Sequence, residues 1–423
     1  MSIWIAIVIT AVVTYLISLA VRAATSHEKK INHRIEHLYA ISDDQFLRSM
    51  GSLLQPNLEG GNTVAIYNNG DEIFPPMLAS IAAAQRTITF ETFIYWSGAI
   101  GRRFAEALAE RARAGVRVYV VIDWFGSTRM DPGVIQMLED SGVEIERYHP
   151  IRWYSMRRLN NRTHRKILVI DGRVGFTGGV GIADQWLGDA RNKDEWRDVH
   201  FRIEGPAVSQ LQRAFMDNWL KGHSRVLHGD DYFPHLEEQG DVAAQIFMSS
   251  PSEGSESARL MFLLSIASAA RSLRIATAYF VPDTLTVKIL AAAAERGVRV
   301  RIIVPGAHID KSIVRRASRA RWGKLLEAGI EIYEYQTTMY HCKMMIADNL
   351  WLSVGSANFD NRSFRLNDEA NLNVYNAEVA SRLADDFDQD LTRARRVTFE
   401  EWKSRPLRER AYEHALALLR PVL

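Results

Sequence analysis

The stretch Tyr340-His341-Cys342-Lys343-Met344-Met345-Ile346-Ala347-Asp348, continuing to Gly355-Ser356-Ala357-Asn358, decides how the chain is read. Its pattern is His-x-Lys-x4-Asp-x6-Gly-Ser-x-Asn. An earlier stretch nearly repeats it: His164-Arg165-Lys166, then Asp171, then Gly178-Gly179. Apolar residues surround each His-x-Lys pair, which predicts a buried strand. Side chains alternate along a strand, so His and Lys at i and i+2 share one face. Ser356 and Asn358 have the same spacing. An imidazole beside an ammonium, with a hydroxyl and an amide nearby, suits a phosphate. Lys and Asn hold the oxygens and His attacks phosphorus. Two copies with equal spacing set this pattern apart from two unrelated buried histidines.

Working outward, the chain reads as two similar halves. In the first, a helix over 73–84 precedes a strand over 87–95. A helix over 100–114 then stops at Gly115, before a strand over 116–122. In the second, the matching elements are 258–270, 273–280, 285–296 stopping at Gly297, and 298–304. Gly115-Val-Arg-Val matches Gly297-Val-Arg-Val, and Gly142-Val-Glu-Ile matches Gly329-Ile-Glu-Ile. Each second match introduces another strand shortly before a His-x-Lys pair. The glycines fit helix C-terminal stops. Alternating strands and helices predict an α/β fold with a parallel sheet flanked by helices. Two such units packed about a pseudo-twofold axis would bring both His-Lys pairs to one cleft.

The paired His-x-Lys-x4-Asp motif resembles that of the phospholipase D superfamily, and the resemblance runs from about position 64 to 397. It implies the duplicated sandwich with a shared cleft. Several stretches are similar to bacterial cardiolipin synthases in particular. They are Ser356-Ala-Asn-Phe-Asp-Asn-Arg-Ser-Phe-Arg-Leu-Asn367, Asn69-Gly-Asp-Glu-Ile-Phe-Pro75, Glu91-Thr-Phe-Ile-Tyr95, Thr163-His-Arg-Lys166 and Ala278-Tyr-Phe-Val-Pro282. The implied reaction is transphosphatidylation. One phosphatidylglycerol gives its phosphatidyl group to a histidine and releases glycerol. A second phospholipid, expected to be phosphatidylglycerol again, takes it to form cardiolipin.

The candidate catalytic set is His164, Lys166, Asp171, His341, Lys343 and Asp348, supported by Asn358, Ser356, Glu369 and Asp198. One histidine attacks and the other serves as acid and then base; by resemblance His164 is favoured as the nucleophile. An imidazole needs its other nitrogen held by an acceptor. The resemblance points to an acid downstream of each motif, Glu369 for His341 and Asp198 for His164 by position. Asp171 and Asp348 lie an odd number of positions from their histidines, so they read as structural, tying a strand end to backbone donors. The first motif departs from the pattern. Gly179 and Gly181 stand where Ser356 and Asn358 stand in the second, so an asymmetric cleft is expected. No metal or other cofactor is expected. Arg362 and Arg365 are open between flanking the phosphate and pairing with nearby acids.

Bulk properties bound the rest. The 423 residues suit two domains or a duplicated one, and a net charge of +2 gives no global pull toward nucleic acid. The one cysteine, Cys342, excludes an intramolecular disulfide and a cysteine-rich zinc site. Residues 3–21 (IWIAIVITAVVTYLISLAV) carry no charge and have the length of a bilayer-spanning helix. No Lys or Arg precedes them, which disfavours a cleavable signal peptide. Arg22, Lys29, Lys30 and Arg34 follow them, which predicts a cytoplasmic catalytic part, and the resemblance to bacterial enzymes implies the inner membrane of a bacterium. The expected division is 1–24 anchor, 25–62 linker, 63–225 first half, 226–254 linker and 255–423 second half. Two basic stretches are expected to touch lipid headgroups. One is Arg152-Trp153-Tyr154 through Arg157, Arg158 and Arg162; the other is Lys311, Arg315, Arg316, Arg319 and Arg321. A hydrolase using water as acceptor, a nuclease-like phosphodiesterase and an inactive membrane scaffold are the competing readings.

Overall fold

The structure is a computed structural model. It describes residues 35–150, 161–223, 225–251 and 257–417, with Thr10, Thr14, Tyr15 and Ser18 near the start. The expected membrane span and the basic stretch at 152–158 therefore lie essentially outside the described residues. Among those residues no helix is long and apolar enough to cross a membrane.

The strands of the first half are β1 (Glu59–Asn68), β2 (Thr87–Thr92), β3 (Arg117–Asp123), β4 (Glu144–Tyr148), β5 (Arg162–Thr163), β6 (Ile167–Ile170), β7 (Val174–Gly178) and β8 (Val199–Glu204). Those of the second are β9 (Val242–Ser249), β10 (Ser272–Thr277), β11 (Arg299–Pro305), β12 (Glu331–Tyr335), β13 (Lys343–Ala347), β14 (Trp351–Gly355), β15 (Asn367–Tyr375) and β16 (Ala394–Val397). Their spatial order is 16-12-11-10-13-14-15-9-1-8-7-6-2-3-4. Reading outward from the β9–β1 junction, the two halves repeat one another: 15-14-13-10-11-12 mirrors 8-7-6-2-3-4. The duplication seen in the sequence is thus a duplication of topology.

The expectation of a parallel sheet holds only for β2-β3-β4 and β10-β11-β12, whose strands are joined through helices. Around each His-x-Lys the sheet is antiparallel. The reason is connection length. Asp171, Gly172 and Arg173 link β6 to β7, too few residues for a parallel crossover. The stretches expected as linkers also carry structure. The segment 25–62 includes the helix Asp44–Leu53 and the start of β1, and 226–254 includes β9, a full partner of β15.

Local signals account for the elements. The helix Ala99–Arg113 and the helix Thr284–Glu295 both give way to a glycine with positive φ, 93° at Gly115 and 92° at Gly297. Asp131, Asp283 and Asn376 cap the helices that follow them through their side chains. Three apolar cores result. One lies under the helices of each half, around Phe74 and Phe104 in the first and Phe262 and Trp351 in the second. The third joins the halves. It contains Phe215 and Trp219 from the helix Val208–Gly222 and Leu383 and Phe387 from the helix Ala377–Leu391, with Ile167, Phe201, Ile246 and Ile346 from the sheet. Burial of this shared core holds the two halves in a single arrangement, which the cleft requires.

Candidate active site

Each His-x-Lys segment docks on the opposite half. β5, just before His164, pairs with the start of β15, and His164 N donates to Asp368 O at 2.9 Å. The mirror contact has His341 N donating to Arg197 O at 2.8 Å, and Tyr340 bridging to Arg197. Each histidine therefore stands beside the carboxylate that follows in the other half. His164 Nδ1 lies 2.9 and 3.1 Å from the Glu369 carboxylate oxygens, and His341 Nδ1 lies 2.6 Å from Asp198 Oδ2. The pairing expected from position, Glu369 with His341 and Asp198 with His164, is corrected by the fold to a crossed one.

The lysines stay with their own motifs. Lys166 Nζ donates to His164 O at 2.6 Å, and Lys343 Nζ stands 3.0 Å from His341 Nδ1 and 3.2 Å from Nε2. All four side chains are buried. Burial, and then the neighbouring lysines, hold His164 well below its ordinary range and His341 at about 4. Burial likewise lowers both lysines. The two carboxylates differ. Burial raises Glu369, although Lys166 and the hydroxyls of Ser356 and Ser363 pull the other way. Burial also acts upward on Asp198, but His341, Lys343 and the Trp186 indole outweigh it and bring it below its ordinary range.

Asp171 and Asp348 do structural work, as their spacing predicts. Asp171 accepts from the backbone N–H groups of Gln85, Arg86 and Thr87, and Asp348 from those of Ala270, Arg271 and Ser272. Both sit at positive φ in the turn after the motif strand, a conformation that Asp tolerates.

The departure at Gly179 and Gly181 has a steric cause. A Cβ at position 179 would lie 2.0 Å from Asp198 Oδ1. Asp is one methylene shorter than Glu, so its carboxylate must crowd over the backbone to reach His341, and only glycine leaves room. Glu369 reaches His164 past Ser356, whose hydroxyl accepts from Ala370 N at 2.9 Å. A Cβ at 181 would meet the Trp186 ring at 3.2 Å and Ile94 Cβ at 2.9 Å. Trp186 thus occupies the space that a side chain at 181 would need, and it lines the cleft there. Its Nε1 donates to Asp198 Oδ2 at 2.9 Å, and its ring stands edge-on to His341 at 5.3 Å.

The cleft has a volume of about 500 Å³, and His164, Lys166 and His341 open into it. Phe93 packs against His164 and Trp196 against His341, each with ring centres 5.3–5.4 Å apart. Arg129, Tyr279 and Lys311 also line it. The sequence reading missed Phe93, Trp186, Trp196 and Arg129. Phe93 and Tyr279 lie within Glu91–Tyr95 and Ala278–Pro282, where aromatic residues next to a strand end are the available signal. Several of the expected basic residues have partners within the fold. Arg315 pairs with Glu334, Lys311 lines the cleft, and the C-terminal helix Leu407–Leu416 meets only Arg319, through Glu409 at 3.0 Å, and Arg316, which lies over Tyr412. Arg162 is buried 3.6 Å from Asp123. Arg362 is half-buried; that burial lowers it, against the pull of nearby Asp360.

Two buried imidazoles, each tied at Nδ1 to a carboxylate and flanked by a lysine, in a duplicated α/β fold, mark an enzyme of the phospholipase D superfamily. Comparison with known proteins narrows this. A family model described as cardiolipin synthase, PLD-like domain, matches residues 77–219 and 263–391. The chain is 37% identical to a cardiolipin synthase of Geobacillus kaustophilus over 85% of its own length and 72% of that protein's. It is 34% identical to the major cardiolipin synthase ClsA of Bacillus subtilis over 86% of its length and 76% of that protein's. Among solved structures, a phosphatidylserine synthase of Haemophilus influenzae superposes with a TM-score of 0.66 at 14% identity, covering 90% of this chain and 99% of that one. The chain belongs to the cardiolipin synthase family.

Proposed function

We propose that phosphatidylglycerol is both donor and acceptor, that His164 is the nucleophile and that His341 is the general acid and then base. The observation that carries the division of roles is the unequal setting of the two imidazoles. His341 faces Asp198, a carboxylate held below its ordinary range, and a firmly ionised partner stabilises an imidazolium. His164 faces Glu369, a carboxylate raised by burial, and burial holds the imidazole itself well below its ordinary range. It stays neutral with a free Nε2 lone pair, as attack on phosphorus requires.

In the first step His164 Nε2 bonds to the donor phosphorus as the bond to the glycerol oxygen breaks. Burial disfavours a protonated His341 in the empty cleft, but the negative charge of a bound phosphodiester favours it, and His341 then gives its proton to that oxygen. Lys166 and Lys343 stabilise the charge on the non-bridging oxygens. In the second step a headgroup hydroxyl of another lipid gives its proton back to His341. Its oxygen attacks phosphorus and the P–N bond breaks.

Residues 3–21 serve as a membrane anchor with the catalytic part on the cytoplasmic side, so that the cleft meets lipid in place. The uncharged length of the run and the cations after it support this. Carbonate extraction of membranes tests it: a chain released by alkaline wash is not anchored.

Incubation of the purified protein with phosphatidylglycerol vesicles, with and without phosphatidylethanolamine, tests the substrate. Cardiolipin and free glycerol are the expected products, and phosphatidic acid alone would favour the hydrolase. Quenching during turnover and mapping the phosphohistidine decides the nucleophile; label on position 341 would reverse the roles.

A further inference from the structure

A second cavity of about 560 Å³ adjoins the catalytic cleft and shares Trp96, Arg129, Gln185 and Trp196 with it. Its position is informative. Trp196, the wall between the two spaces, packs on His341. The side chamber therefore lies on the flank of the imidazole that handles the proton of the leaving and incoming hydroxyls.

Its chemistry is equally specific. Trp96 is pinned by its Nε1, which donates to Gly126 O at 2.9 Å, and the Arg129 guanidinium lies over its ring at 4.3 Å. Among the described residues Arg129 makes no ion pair, so the stacked guanidinium has its donors open to an incoming anion. Around it stand Ser97, Gln185 and Asp194, groups that hydrogen-bond hydroxyls, between two indole faces that suit carbon-bound hydrogens. Lys193 adds a second cation to the lining, and Asp184 is committed to the backbone N–H groups of Ala99 and Ile100 at 2.9 and 3.0 Å. A cation, polyol-binding groups and indoles together match a glycerophosphate diester.

We infer that this chamber is the acceptor subsite, in which Arg129 holds the phosphate of the second phospholipid and presents its headgroup glycerol to His341. The inference rests on the proposed two-step transfer. By microscopic reversibility the chamber holds the leaving glycerol in the first step and the acceptor's glycerol in the second. In that second step the acceptor hydroxyl oxygen bonds to phosphorus, the P–N bond to His164 breaks, and the hydroxyl proton passes to His341. Water reaches the same phosphorus when the chamber is empty, giving phosphatidic acid. Arg129 is thus a residue that selects transfer over hydrolysis.

The test is product partition by the full-length enzyme in phosphatidylglycerol vesicles. Arg129→Gln should lower the ratio of cardiolipin to phosphatidic acid by about tenfold, the scale of one lost charge-assisted phosphate contact. A rising mole fraction of phosphatidylglycerol should restore the ratio, since the defect is in acceptor binding. Equal loss of both products, or an unchanged ratio, overturns the assignment. The ratio is set after the phosphohistidine forms, so it reads the acceptor step whatever the total turnover. If the wild-type enzyme itself makes no cardiolipin, the functional reading fails, and that outcome is distinct from failure of the subsite.

Discussion

Glu369 and His164 are 205 positions apart in the chain, yet the carboxylate stands 2.9 Å from the imidazole Nδ1. The contact crosses between halves, and its mirror image joins Asp198 to His341. Each catalytic imidazole is oriented by a strand of the opposite copy. Glu369→Gln keeps the shape but lets the amide present the wrong hydrogen-bond partner to Nδ1. We expect kcat to fall by about 10²- to 10⁴-fold with little change in KM, the scale seen when a triad carboxylate becomes an amide. Steady-state kinetics on phosphatidylglycerol vesicles checks this; a change confined to KM would count against an orienting role.

The Gly179–Asp198 contact gives a second expectation. Gly179→Ser, which copies the second motif, should push Asp198 off His341 and cost activity by about a hundredfold or more. Lengthening the acid at the same time, in Gly179→Ser/Asp198→Glu, should recover part of the loss, because Glu369 already coexists with Ser356. A double variant no better than the single one would show that crowding at Asp198 is not the reason for glycine.

Asp348→Ala should act on stability and leave the chemistry of folded molecules intact. It strips the acceptor from three backbone N–H groups around residue 271. A loss of about 2–4 kcal/mol is expected for orphaned amides in a partly buried turn. Urea unfolding measures it, and active-site titration normalises the rate to folded enzyme.

His200 supplies a pH dependence. Its ring is buried, its Nδ1 has no partner among the described residues, and burial lowers it to about 3, with Asp198 opposing and Lys166 reinforcing the shift. The unfolded chain takes up a proton below about pH 6.5, while the native protein does not until about pH 3. This group's share of stability is therefore complete above pH 6.5 and is lost as pH falls toward 3, at up to about 1.4 kcal/mol per pH unit. His200→Asn, the residue type found at the matching position 371, should flatten that acid limb. Denaturant unfolding at pH 7 and pH 5 should show the wild type losing about 2 kcal/mol more than the variant. Parallel losses would exclude His200 as a source of the acid sensitivity.

Much of this was legible in the sequence. The His-x-Lys repeats, the glycine stops at 115 and 297 and the odd spacing of Asp171 and Asp348 all report local geometry, and local geometry is what periodicity encodes. The crossed carboxylates were not legible, because they depend on β5 lying along β15 and on Tyr340 meeting Arg197, contacts with no local signature. The same holds for the arginines of the helix Ser312–Arg319. Their spacing describes one helix face, but it cannot say that the helix Leu407–Leu416 packs against part of it. Trp186 escaped notice because its meaning lies in what is missing opposite it, the side chain of residue 181.

The crossed docking also bears on how such a chain can change over generations. Duplicated copies usually gain freedom, since one can drift while the other keeps the trade. Here neither copy holds a finished half of the chemistry. A substitution near Asp198 is felt at the imidazole of the second motif, and one near Glu369 at that of the first. The two repeats are bound to change in step, each acting as the other's proofreader.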